Sequence, residues 1–307
     1  MGYGASACEA SGTLCLDTHG TPLRRTICTD CARDWVQYPS RNEVILLHLA
    51  VAALYAAAAW ARWPRATPAV APSIGIALVW AALALHAIAI VPTIATPKGL
   101  DFAFANALSL VAGLTVLFAV TSGLLRDLPY VGAVVLPVAA ACALAPGLGR
   151  DPHYVAYAGE TWALAHIFVA LCAYGLFVVT ALQATVLTGL ERRLHRGRPA
   201  EPEDATPPLL TLERYLFRLV GLGFVLLTAT LASGLLFSEQ LFGRPLTFTH
   251  KNLFSVLGWL TFGILLVGRW RFGWRGRRAL RWIIAGTVLL VLGYLGSKFV
   301  SEILLGR

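Results

Sequence analysis

Seven histidines are spread unevenly along this 307-residue chain. His48, His86, His166 and His250 lie within or at the edge of long apolar runs. His153 lies between two such runs, His195 in the largest polar loop and His19 near the start. Ionisable groups at membrane depth are costly and face a bundle interior or a water-filled cavity. Neutral imidazole is also the commonest protein ligand for haem iron, and two imidazoles from facing helices can clamp one porphyrin. Trp80, Trp162, Phe168, Tyr174 and Trp259 supply aromatic surfaces on which a flat macrocycle could pack. The competing role is structural, each imidazole hydrogen-bonding a neighbouring helix as polar side chains do inside membrane bundles. For His86 and His166, expected at similar depth, the two roles stay equally open.

Other chemistries find little support. The chain has no His-Glu-x-x-His spacing, no Walker loop and no Gly-x-Ser-x-Gly elbow. Carboxylates are nearly absent from the apolar runs, which argues against an acidic proton relay. Cys28-Thr-Asp-Cys31 has the C-x-x-C spacing of half a zinc site or a redox pair, but Cys8 and Cys15 do not repeat it. Cys142 and Cys172 fall within apolar runs, as small apolar fillers. Asn106 and Gln183 are candidates for bridging helices.

The elements that must position these groups follow from composition. The chain is 57% hydrophobic and 13% charged, where a soluble domain carries about 25% charged residues. Eight apolar runs, approximately 44–61, 73–95, 102–125, 129–147, 162–190, 216–238, 252–268 and 280–304, are each long enough to cross a bilayer. Lipid cannot satisfy an open sheet edge, so helices are expected. The fourth run is the least regular span, with Pro137 inside it and Pro146 near its end, where a kink or a re-entrant segment is expected. The fold class is therefore all-α, a polytopic bundle of about eight spanning helices, with no repeat of fixed period.

Orientation follows from the basic residues, because Lys and Arg stay on the cytoplasmic side. With the N-terminus outside, the inner loops and their flanks hold fifteen Lys/Arg and the outer ones six, leaving residues 1–43 aside. Six of the fifteen arginines fall between Arg269 and Arg281, among tryptophans and glycines. The expected arrangement is N-out and C-out, which puts the membrane histidines in the outer half. The net charge of +9 is then a topology signal directed at anionic lipid headgroups, and nucleic acid is not an expected partner. Glu191 to Leu212 reads as a solvated inner linker. Residues 1–43 form a polar, cysteine-containing extension that lacks the apolar core of a signal peptide, and they read as disordered or as an upstream mis-start.

Three stretches carry a resemblance. WALAHIFVALCAYGLFVVTALQA (162–184), PPLLTLERYLFRLVGLGFVLLTATLASGLLF (207–237) and HKNLFSVLGWLTFGILLVGRWRFGWRGRRALRWIIAGTVLLVLGYLGSKF (250–299) are similar to the cytochrome c assembly membrane proteins. The nearest branch is the HemX/YpjD-like one, related to CcsA and CcmC, and LALHAIAI (83–90) fits it as well. The resemblance covers residues 44–307, the membrane domain, and its most specific piece is Gly273-Trp274-Arg275-Gly276-Arg277-Arg278.

The resemblance implies a multi-pass protein of the bacterial inner membrane that binds or handles haem near the outer face during cytochrome c biogenesis. By position, His166 corresponds to a haem-ligating histidine of the family, followed by His86 and then His250. His166 and His86 are the expected ligands to haem iron. Expected partners are membrane lipids together with other cytochrome c maturation proteins or a haem-biosynthesis enzyme. The family's tryptophan-rich WGxxWxWD outer loop is replaced here by SEQLFGRPLTFTHKN (238–252), which implies an accessory or regulatory haem-handling factor rather than an enzyme. Two alternatives are a membrane scaffold that regulates haem biosynthesis without binding haem, and a transporter of small molecules or ions.

Overall fold

The computed structural model describes residues 40–62, 72–96, 99–127, 129–148, 161–195, 209–236, 250–297 and 299–300. The N-terminal extension with its four cysteines, the loop that holds His153, and the Lys298 and Glu302 side chains lie outside the described residues.

Eight long helices dominate: α1 (Arg41–Ala61), α2 (Pro72–Ile94), α3 (Phe104–Thr121), α4 (Pro129–Leu144), α5 (Thr161–His195), α6 (Leu209–Leu236), α7 (His250–Phe272) and α8 (Gly276–Val291). A 3-10 turn, Ala145–Leu148, extends α4, and a π-helical turn, Leu292–Gly296, extends α8. With these extensions each helix is long and apolar enough to cross a membrane. The chain is an all-α, multi-pass membrane protein. α4 continues helical through Pro137, and α2 through Pro92.

The helices are organised as two four-membered rings of sequence neighbours. In the first, α1 packs on α2, α2 on α3, α3 on α4, and α4 closes back on α1. In the second, α5 packs on α6, α6 on α7, α7 on α8, and α8 closes on α5. The main seam between the rings is α3 against α5. Gly175 permits that seam, because a Cβ there would lie 3.1 Å from Leu114 and 3.3 Å from the Phe118 ring.

The rings pack differently. In the first, Ala52, Ala58, Ala59, Ala82, Ala89, Ala139 and Ala143 are all buried. Small side chains let helix backbones approach closely where lipid provides no hydrophobic drive for association. The second is filled by aromatics. Phe177 stacks on Phe262 with centroids 4.0 Å apart, and Tyr174 lies 5.3 Å from Tyr294 in the π-helical turn. Glycines on the facing helices make room for these rings: a Cβ at Gly286 would come within 2.8 Å of Phe262, and one at Gly223 within 3.1 Å of Phe177.

At one end of the bundle, α2 and α3 are joined by a two-residue antiparallel ladder, Ala95–Thr96 with Gly99–Leu100. Asn106 holds this junction, its Nδ2 donating to the carbonyls of Thr93 (3.2 Å) and Asp101 (3.1 Å). Gln183 bridges α5 to α6 nearer the opposite end, donating to the Leu212 carbonyl at 3.1 Å.

That opposite end holds the arginine-rich segment, and most of it is helical. Arg269 and Arg271 belong to the last turn of α7, and Arg277 and Arg278 to the first turn of α8, leaving Gly273, Trp274 and Arg275 as the turn. Gly273 (φ 63°) and Gly276 (φ 57°) take the left-handed conformations that reverse the chain in so few residues. Trp274 folds back under Gly268, its N–H donating to the Gly268 carbonyl at 3.2 Å. A carboxylate from a distant helix clamps the turn. Glu213 Oε1 on α6 accepts from Arg269 Nη1 and from the Gly276 N–H, both at 3.2 Å. It neutralises the cation at the α7 C-terminus and caps the α8 N-terminus, where an anion is favoured.

α5 and α6 also run further than the apolar pattern predicts. Glu191–His195 continue α5 and Leu209–Leu212 open α6, so the linker expected from Glu191 to Leu212 shortens to 196–208, which lie outside the described residues. Apolar counting stops at the membrane boundary, whereas backbone hydrogen bonding continues the helices into water.

Candidate functional site

His86 sits at the centre of the first ring, 3% exposed. Both of its ring nitrogens have partners from the adjoining helices: Tyr55 Oη of α1 lies 3.1 Å from Nδ1, and Ser109 Oγ of α3 lies 2.9 Å from Nε2. Tyr55 is fully buried and meets the imidazole edge-on at a centroid distance of 5.8 Å. The imidazole also lies against α3 at Gly113, where a Cβ would be 3.1 Å from Cε1 and Nδ1. His86 therefore ties α1, α2 and α3 together. To reach iron, either nitrogen would first have to release a hydroxyl.

Sequence reasoning did not select Tyr55 or Ser109. Hydroxyl-bearing residues in otherwise apolar helices, at a depth that matches a histidine, are the signal that points to them. Tyr55→Phe removes one partner and strands a buried polar nitrogen, which costs about 1–3 kcal/mol. The expected result is a lower thermal midpoint for the detergent-purified protein, with Ser109→Ala lowering it similarly. An unchanged midpoint in both variants would mean that the network does not hold the ring together.

His48 presents the opposite situation. It is 1% exposed on α1, and among the described residues neither ring nitrogen has a partner in hydrogen-bonding geometry. The Ala143 backbone lies beside it, outside hydrogen-bonding geometry. His48 and His86 are close enough to interact electrostatically.

His166 lies in the second ring, half-buried near the start of α5. Its Nδ1 is 2.8 Å from Ser233 Oγ on α6, and Ser233 Oγ is 3.0 Å from the Thr230 carbonyl. These two distances suit one direction. The serine hydroxyl has one proton, and a carbonyl can only accept. With that proton on the Thr230 carbonyl, Ser233 accepts from His166 Nδ1–H, one of the two tautomers the 2.8 Å contact allows. In neutral His166 the lone pair is then on Nε2. A hydrogen bond that holds one ring nitrogen protonated and orients the other is how proteins prepare a histidine for metal ligation. Trp162, one turn earlier, and Phe168 are both largely exposed. Gly234 lies alongside, where a Cβ would be 3.5 Å from His166 Cε1.

His250 opens α7 at the same end of the bundle, and its side chain lies outside the described residues. The structure thus distributes the expected ligands between the rings, His86 inside the first and His166 on the second. Among the described residues, no three His, Cys, Asp or Glu side chains cluster as a metal site. Cys142 and Cys172 are free and half-buried.

Comparison with known proteins matches this sequence to a family. The family model described as cytochrome C assembly protein matches residues 74–305. The inner membrane protein YpjD of Escherichia coli strain K12 is 35% identical over 141 residues, 46% of this chain and 52% of that protein. The cytochrome c biogenesis protein CcsA of Thermosynechococcus vestitus is 26% identical over 215 residues, 57% of this chain and 67% of that protein. The protein of the same name from Gloeobacter violaceus is 31% identical over 124 residues, 40% of this chain and 33% of its own. The alignment to YpjD thus spans about half the length of that relative. No solved structure matches. With three quarters of its length matched, and the match running from the first turn of α2 to beyond α8, the chain belongs to the cytochrome c assembly protein family.

Proposed function

We propose that this protein serves cytochrome c biogenesis in the bacterial inner membrane by binding or handling haem near the outer face, with His166 as the principal ligand. The observation that supports this reading is the Thr230–Ser233–His166 chain, because the tautomer protonated at Nδ1 has its lone pair on Nε2, the arrangement used for metal ligation. Haem, when bound, would supply a redox-active iron that imidazole can ligate. The chain's own contribution is to orient the imidazole through Ser233 at the edge of the bundle, one helical turn from the exposed Trp162.

His86 is proposed as a second residue that would hold haem iron, in place of its contact with Tyr55 or Ser109. His250 is held in reserve at the same end. The basic residues collect at the end opposite His166, which supports the N-out, C-out orientation and hence an outer location for the site. The E. coli relative's name, inner membrane protein, supports the same compartment. The CcsA relatives' name, cytochrome c biogenesis protein, supports the process, with maturation proteins as partners. The membrane domain is proposed to be residues 44–307, following the extension 1–43. Because the segment joining α6 to α7 lacks tryptophan, an accessory or regulatory role is favoured over direct attachment of haem to the cytochrome.

The test is an absorption spectrum, oxidised and reduced, of the detergent-purified protein reconstituted with haem. The wild type is expected to show a Soret band that His166→Ala abolishes and Ser233→Ala shifts. His86→Ala should alter it only if exchange at His86 occurs. A protein that stays haem-free after reconstitution would overturn the reading in favour of the scaffold alternative.

A further inference from the structure

Three exposed arginines crowd the first turns of α8, at the end of the bundle opposite His166. Arg277 and Arg278 belong to the opening turn and Arg281 to the next. Arg278 lies over the Trp274 ring at 5.3 Å, and Trp274 in turn lies 5.7 Å from Trp282. Arg277 and Arg281 are four residues apart, so they share a face of the helix and are neighbours on it.

That face continues along the span. Ala285, Val288 and Leu292 follow Arg281 at steps of four, three and four residues, and all five positions are exposed. The spanning segment starts at Gly276, which puts the arginine pair at headgroup depth and the apolar stripe against acyl chains. Trp270 and Phe272, both largely exposed at the end of α7, mark the same boundary, as interfacial aromatics do.

The charge on this face is uncompensated within the described residues. Two carboxylates reach the α7–α8 turn, Glu191 and Glu213, and both meet it at Gly276. Glu213 is engaged by Arg269 and by the Gly276 N–H, so the helix N-terminus already has its anion. Among the described residues, neither Arg277 nor Arg281 has a carboxylate partner. Like charges one turn apart repel, and a cation in the first turn of a helix is disfavoured. An anion held between the two guanidinium groups offsets both effects.

We propose that Arg277 and Arg281 seat the phosphate of an anionic phospholipid, with an acyl chain laid along Ala285, Val288 and Leu292. The phosphate offers acceptor oxygens to both planar guanidinium forks. Ala285, the smallest side chain of the stripe, leaves room for the chain just below the headgroup. A charged pair joined to an apolar stripe is complementary to a molecule that carries both, which selects a lipid over a soluble anion. This is one lipid on named residues, a narrower claim than the attraction of any basic loop to an anionic leaflet. It uses none of the residues of the haem reading.

The test uses the full chain purified in an uncharged detergent, with phosphatidylglycerol or phosphatidylcholine added and bound lipid counted by native mass spectrometry. Phosphatidylglycerol should stay on the wild type, and phosphatidylcholine should not. Arg277→Gln/Arg281→Gln should weaken phosphatidylglycerol binding by at least about tenfold, the scale of a lost charge-assisted hydrogen bond. Arg271→Gln/Arg275→Gln removes the same charge from the same end and should leave the affinity nearly unchanged. Ala285→Phe alters no charge and should also weaken binding, by filling the path of the chain at an exposed position.

Equal losses in the two arginine double variants would overturn the proposal, because net charge alone would then hold the lipid. So would binding that persists unchanged in both Arg277→Gln/Arg281→Gln and Ala285→Phe. Displacement of phosphatidylglycerol by a polyglutamate peptide, whose own binding is lost in Arg277→Gln/Arg281→Gln and kept in Ala285→Phe, would assign the face to an acidic protein instead.

Discussion

Glu213→Ala is expected to destabilise the protein by about 3 kcal/mol, the scale on which a mostly buried ion pair loses one partner. Both side chains are largely shielded, Arg269 23% and Glu213 12% exposed. The substitution leaves the Arg269 guanidinium and the Gly276 N–H without their acceptor at a helix junction. Among the described residues, Arg269 retains the Trp274 carbonyl, 3.1 Å away, and the face of the Phe217 ring at 4.4 Å. Glu213→Gln keeps an acceptor oxygen and loses the charge, so its cost should be about half, nearer that of one hydrogen bond. The double variant Glu213→Ala/Arg269→Met removes both charges and should be more stable than Glu213→Ala alone. That non-additivity, read as thermal midpoints in detergent, separates a coupled pair from two independent contacts. Additive effects would show that the clamp does not act as a unit.

The second large effect is expected at Gly286. A valine there places its Cβ within 2.8 Å of Phe262, which is fully buried and stacked on the equally enclosed Phe177. The nearest atoms belong to a rigid ring that cannot swing away as a flexible side-chain end could. Overpacking of this kind costs about 1–3 kcal/mol, and the added branches place Gly286→Val at or above the top of that range. Gly286→Ala should show a smaller part of the same loss. Phe262→Leu in the Gly286→Ala background should recover stability by giving the methyl group space. The readout is the yield of folded protein and its thermal midpoint. Wild-type behaviour in Gly286→Val would mean that α7 and α8 can separate at no cost.

Helix number and approximate limits were legible because spanning a bilayer requires long apolar runs, and lipid leaves the backbone no other economical conformation. The concentration of arginine between Arg269 and Arg281 was legible for the same reason. Its folded form was not, because Glu213 lies more than fifty residues upstream of its partners. A cap delivered from another helix leaves no local pattern around the turn it stabilises. The histidines were legible as membrane-depth groups, but their differences were not. Whether an imidazole finds two partners, as His86 does, or none, as His48 does, depends on how adjacent helices are rotated. Hydropathy does not encode that rotation. The pairing of His166 with Ser233 has the same character, because either residue alone is an ordinary polar group near a helix end.

The two-ring arrangement has a consequence for how the protein is made. Every contact needed to close the first ring is complete once α4 has left the ribosome, and none of them requires α5 to α8. Segments that can satisfy themselves early generally fold as units during synthesis, with the N-terminal one first. The first four helices therefore provide a finished wall, the outer surface of α3, before the second four enter the bilayer. α5 then packs on that wall as the founding member of its own ring. Biogenesis of the protein divides into two insertions joined mainly at one seam, where Gly175 lets α5 lie close to Leu114 and Phe118 of α3.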